Sequence, residues 1–273
     1  MKVKNIFFQK AFYHRNVLSE LFIQDKNIIA PWGVEFADSS SFYSLEGGYG
    51  YRYKLLEQFE SVDHFSHKVV QIIKMKEGLV RLELEEWLEN PTNFRRICKI
   101  IFIEDTFLMD FVLRYRFLVS RFQKGYIANN TLRIGSSHIY HQYPVERSKV
   151  ENSKYSIVIS VNKKNIPSSM KGYMYLQYHG NYWVLHVRML PLVWEKEVIK
   201  LCSKWFKTSP LPSWLSMPLL KIPNLKEALW YRGEKNPYKN RIARIFSPNA
   251  YPMVKLKKGE LLLWDVSCRI ENP

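Results

Sequence analysis

The densest set of side chains able to do chemistry lies in KGYMYLQYHGNYWVLHVRM, residues 171–189. Tyr173, Tyr175, Gln177, His179, Tyr182, His186 and Arg188 are interleaved there with Met174, Leu176, Tyr178, Trp183, Leu185 and Val187. An imidazole titrates near neutrality while a phenol keeps its proton, so a His base and a Tyr acid can act on one substrate. A guanidinium fork matches a carboxylate or phosphate, and a glutamine amide adds a neutral donor and acceptor. This set suits proton abstraction next to a carboxylate, as in elimination, epimerisation or cyclisation of an acidic sugar. His179, His186 and Tyr175 are the candidate catalytic groups. Tyr173, Gln177, Tyr182 and Arg188 are the candidate ligand contacts, with Arg188 on the anionic group and aromatic rings stacked on sugar faces.

These side chains converge only if two strands hold them. Gly180-Asn181 separates the two runs, and a Gly-first two-residue loop fits the positive φ of a type II′ turn. That turn sets His179 opposite Tyr182, Tyr175 opposite His186 and Tyr173 opposite Arg188. Alternation then gives an apolar face for a core and a polar reverse face, with Val184 its one aliphatic residue. Gln177-Tyr178-His179, with tyrosines and an arginine nearby, resembles the residue inventory of jelly-roll alginate lyases. Other signature stretches of those lyases are absent, so no membership follows.

A second source of positive charge is FLMDFVLRYRFL, residues 107–118. Phe107, Met109, Phe111, Leu113, Tyr115 and Phe117 share one face, and Leu108, Asp110, Val112, Arg114 and Arg116 share the other. Arg114 and Arg116 form an arginine pair that suits an anion, or the charged outer face of a half-buried strand. Asp110 and Arg114 stand about 13 Å apart along such a strand, too far to pair directly.

The rest of the chain supplies hairpins. Residues 66–88 give two alternating runs around Lys76-Glu77-Gly78, with Arg81, Glu83, Glu85 and Trp87 facing solvent. Residues 96–118 repeat the pattern around a Glu-Asp-Thr turn. Pro31-Trp32-Gly33 reads as a turn, and 39–50 as a glycine-containing loop without the Lys-Ser/Thr of a phosphate-binding loop. Residues 154–161 form a further strand, and 253–270 a closing hairpin. The expected architecture is mainly β: an antiparallel sandwich or barrel within one domain, 1–273. A helical, basic excursion over 191–250, with helices near 192–233, interrupts it before the chain returns to strand.

Composition bounds the function. With 273 residues and 47% hydrophobic content, the chain can bury a full core. Its N-terminus lacks a signal-peptide core, and its apolar runs are too short to span a bilayer, so a cytoplasmic location is expected. Cys98, Cys202 and Cys268 are odd in number and widely spaced, which argues against a disulfide scaffold or a zinc knuckle. His64/His67 and His138/His141 are spaced so that strand partners point to opposite faces, and no metal or other cofactor is expected. The net charge of +16 favours anionic partners. Between 191 and 258 there are 14 Lys/Arg against 4 Asp/Glu.

Two functions from different classes fit these observations. One is a concave sheet pocket for an anionic small molecule or acidic saccharide, with lyase or isomerase chemistry as its enzymatic form. The other is a nucleic-acid-binding or anionic-surface-docking protein using the basic aromatic section 196–244, where Lys and Arg meet phosphates and Trp and Tyr stack on bases.

Overall fold

A computed structural model describes residues 6–38, 41–46, 52–136, 141–191 and 253–273. Every regular element among them is a strand, and the strands pair antiparallel. The expected helices near 192–233 and the basic section 196–244 lie outside the described residues. No helix among the described residues is long and apolar enough to cross a membrane.

The chain opens with β1 (Phe8–His14), β2 (Val17–Ile23) and the two-residue β3 (Lys26–Asn27), a small three-stranded sheet. β4 (Ile29–Ala37) and β5 (Phe42–Ser44) follow. A meander then runs through β6 (Lys54–Asp63), β7 (Ser66–Lys74), β8 (Leu79–Asn90) and β9 (Asn93–Phe102). After it come β10 (Thr106–Leu108), β11 (Asp110–Leu118), β12 (Lys124–Ile127) and β13 (Asn130–Arg133). Next are β14 (His141–Tyr143), β15 (Arg147–Glu151) and β16 (Ser156–Asn165). The polar hairpin is β17 (Met170–His179) and β18 (Tyr182–Pro191), and the described chain closes with β19 (Val254–Leu256) and β20 (Leu261–Glu271).

Two large sheets result. One has six strands in the order β14-β17-β18-β11-β4-β5, the other nine in the order β13-β12-β15-β16-β20-β9-β8-β7-β6. Their inner faces form one apolar layer: Trp32 of β4 meets Phe94 of β9 edge to face at 6.0 Å. Leu176 and Trp183 come so close to β12 that any side chain at Gly125 would strike them. The indole N–H of Trp183 donates to the Phe122 carbonyl at 2.8 Å, which satisfies the polar tip of a fully buried ring. Burial of such aromatic and aliphatic side chains, each contributing about 1.5–3 kcal/mol, is the main favourable term holding the sheets together.

The β7–β8 hairpin forms as expected, with Val69, Ile73, Val80, Leu82 and Leu84 buried inward. Three other expectations are revised. β9 and β11 do not pair as a hairpin: β9 joins the nine-stranded sheet and β11 the six-stranded one, so residues 103–109 carry the chain across the core. Pro31-Trp32-Gly33 is no turn, because β4 continues through it. The register slips between Arg114 and Arg116 at that point, and such a bulge accommodates a residue without an N–H. The closing strands also separate: β19 pairs with β10, while β20 inserts between β16 and β9.

A row of charges crosses the interior. On the inner face of the nine-stranded sheet, His67, Glu86 and Arg96 stand opposite one another on successive strands. His67 Nδ1 lies 3.1 Å from Glu86, and its Nε2 lies 3.1 Å from Glu60. Arg96 donates to Glu86, stacks over Trp32 and Tyr115, and reaches the Arg114 carbonyl of the opposite sheet at 3.3 Å. Burial opposes charge on His67, but Glu86 and Glu60 outweigh it and hold its pKa above the ordinary value.

Candidate functional site

The β17–β18 hairpin positions the candidate groups in the expected register. His179 faces Tyr182, Tyr175 faces His186, and Tyr173 faces Arg188. Gly180 adopts φ 61°, whereas Asn181 is not among the positive-φ residues, the combination a type II′ turn requires. Met174, Leu176, Trp183, Leu185 and Val187 are fully buried in the core, so the polar residues occupy the outer face of the six-stranded sheet.

Pairing with neighbouring strands extends that face. Gln142 of β14 stands opposite Tyr175, Tyr175 opposite His186, His186 opposite Arg114, and Arg114 opposite Gly33. A single row across five strands therefore carries an amide, a phenol, an imidazole, a guanidinium and a bare backbone. The adjacent row runs Tyr173, Arg188, Val112, Glu35 and Ser44. On the other side Gln177, Val184 and Arg116 are aligned.

Gly33 has a specific use in this arrangement. A Cβ there would lie 2.6 Å from Glu46 Oε1, so the missing side chain lets the Glu46 carboxyl rest on the β4 backbone. Arg114 contacts both Glu35 and Glu46, and Arg116 reaches Glu46 at 3.7 Å. Burial pushes the Glu46 carboxyl up to about 8, with the neighbouring Glu35 adding to the effect and Arg116 opposing it. Two carboxyls sharing one guanidinium in a desolvated place cannot both ionise easily, so one retains its proton.

Tyr175 donates its hydroxyl hydrogen to Gln177 Oε1, and its ring centroid lies 5.1 Å from that of His186. Arg188 approaches Asp110 at 3.5 Å. Tyr175, Gln177, Arg114 and Arg188 are each less than a tenth exposed, while Arg116 keeps 23% of its side chain accessible. Both Arg114 and Arg188, expected to meet an external anion, are thus set against carboxylates of the chain itself.

Not every candidate joins the group. Tyr175, Gln177, His186, Arg114 and Arg116 cluster, with Tyr173 and Arg188 one row away. His179 and Tyr182 sit at the hairpin tip, about 13 Å along the strand from the Tyr175–His186 pair. His179 is exposed and Tyr182 half-buried. The acidic members of the cluster, Glu35, Glu46 and Asp110, carry no motif. A glycine inside a strand marks a close approach of another group, and Gly33 is the one signal that could have revealed Glu46.

No family model matches the chain, and no curated protein matches it. Among solved structures it is similar to a galactose mutarotase-like protein from Clostridium acetobutylicum, at 10% identity and TM-score 0.47 over 99% of this chain and 100% of that one. A galactose mutarotase-like protein from Lactobacillus casei gives 8% identity and TM-score 0.46, covering 99% of each chain. A mutant of heparan sulfate lyase HepC from Pedobacter heparinus gives 6% identity and TM-score 0.36, over 93% of this chain and 30% of that one.

Proposed function

We propose that the outer face of the six-stranded sheet binds a small saccharide or related hydroxy acid and exchanges a proton with it. The observation that carries this is the row Gln142, Tyr175, His186, Arg114 and Glu46, in which donors, acceptors and two titratable acids stand side by side. Hydroxyl groups need partners of both kinds, and paired guanidinium and carboxylate groups provide them in fixed positions. Arg116, the most accessible of the three arginines, would meet a carboxylate on the ligand.

In this reading His186 acts as the base and Tyr175 as the acid, oriented by its hydrogen bond to Gln177. Glu46, holding its proton near neutrality, is a second acid on the opposite flank. Loss of a proton beside a carboxylate followed by its return to the other face is epimerisation. Loss of a β-leaving group instead is elimination. Arg188 and Asp110 hold β18 to β11 and position His186 without touching the ligand.

A thermal-shift series across uronic acids, neutral hexoses and nucleotides tests this directly. A sugar or uronate at a hundredfold excess over Kd should stabilise the fold by about 2.7 kcal/mol, raising Tm by several degrees. The shift should vanish in His186→Ala and weaken for acidic ligands in Arg116→Ala. Absence of a shift with every sugar and uronate would remove the proposal.

A further inference from the structure

The described edges of the two large sheets are unequal. β13 has four residues, and β14 and β5 have three each, whereas β6 has ten and all ten are exposed. Leu55, Leu56, Phe59 and Val62 are 41%, 47%, 57% and 55% accessible. Sheets ordinarily blunt an edge with short strands, prolines, bulges or charged side chains. β6 is long and has no proline, its one bulge lies near its start between Leu55 and Glu57, and its carboxylates alternate with exposed Leu55, Leu56, Phe59 and Val62. Among the described residues, only β7 pairs with its backbone.

We propose that β6 pairs antiparallel with β6 of a second copy of this chain, about a twofold axis crossing the sheet at Phe59. Such an axis keeps outer faces with outer faces, so each residue meets one on its own side of the sheet. Gln58 and Glu60 point inward, where they meet Gln71 and His67, and Phe59 points outward. Centring on Phe59 sets the two phenyl rings together, Gln58 against Glu60, and Glu57 against Ser61. Centring on Glu60 would oppose Glu60 to itself and Glu57 to Asp63, and like charges directly opposite are unfavourable. Centring on Gln58 would set each phenyl against Glu57. The Phe59 register is therefore the complementary one. The irregularity between Leu55 and Glu57 bends the strand and marks the end of the pairing. With Glu57, Glu60 and Asp63 against Lys54, β6 is locally acidic, and the Phe59 register sets none of these carboxylates directly opposite another: Glu57 faces Ser61, Glu60 faces Gln58 and Asp63 faces Leu55.

Sedimentation velocity of the full chain across the micromolar range should give twice the monomer mass. Phe59→Lys places two ammonium groups face to face and should weaken the dimer at least tenfold with Tm otherwise retained. Phe59→Cys should cross-link on mild oxidation beyond the background of the parent chain, and Glu57→Cys, which faces Ser61, should not. A monomer throughout, a dimer untouched by Phe59→Lys, or equal cross-linking from positions 57 and 59 would each overturn the proposal.

Discussion

Glu46 is where the chemistry of single residues is most exposed to experiment. Its ordinary pKa is 4.5 and its folded value about 8, so between these the folded chain holds a proton that the unfolded chain has released. Stability therefore falls as pH rises through that window, at most by about 1.4 kcal/mol per unit. His67 contributes with the same sign, because its raised pKa gives stability that is complete below 6.5 and lost above. Glu46→Gln keeps the shape of the neutral acid and removes its titration. Its urea-unfolding free energy should fall less steeply than that of the parent between about pH 5 and about pH 8. Equal slopes in the two proteins would mean that Glu46 is ionised throughout.

At the level of elements, the polar hairpin was readable because two independent signals agreed. Alternation chose the faces, and Gly180 fixed the register that those faces require. Gly180→Val forces a β-branched residue to φ 61° and should cost roughly 1–2 kcal/mol, seen as a lower midpoint in urea. An unchanged midpoint would show that the turn tolerates another geometry. Other elements were hidden for definite reasons. Pro31 and Gly33 look like punctuation, yet a bulge absorbs the proline and Glu46 needs the glycine. The run from β9 to β11 has hairpin spacing, but its two strands enter different sheets, and strand periodicity does not say which sheet a strand joins. Glu35 and Glu46 escaped notice because their partner Arg114 is distant in sequence, and pairing across strands is set by tertiary register.

Across the whole molecule, the His67–Glu86–Arg96 row ties the two sheets and ends on the Arg114 carbonyl beneath the candidate site. Glu86 is fully buried between the Arg96 guanidinium and the His67 imidazole. Removing it as Glu86→Ala leaves the buried guanidinium uncompensated and should cost about 3–5 kcal/mol of unfolding free energy. A loss within about 0.5 kcal/mol, the range of an ordinary surface change, would assign the row no structural weight. The order of the nine-stranded sheet has its own consequence. β20 follows residue 260, yet it lies between β9 and β16 and is bonded to both. As the ribosome extends the chain, the meander on one side and the β15–β16 pair on the other must therefore wait as separate halves. Until β20 emerges, each half displays an unfilled flank, and vectorial synthesis leaves the nine-stranded sheet unjoined until that strand is made.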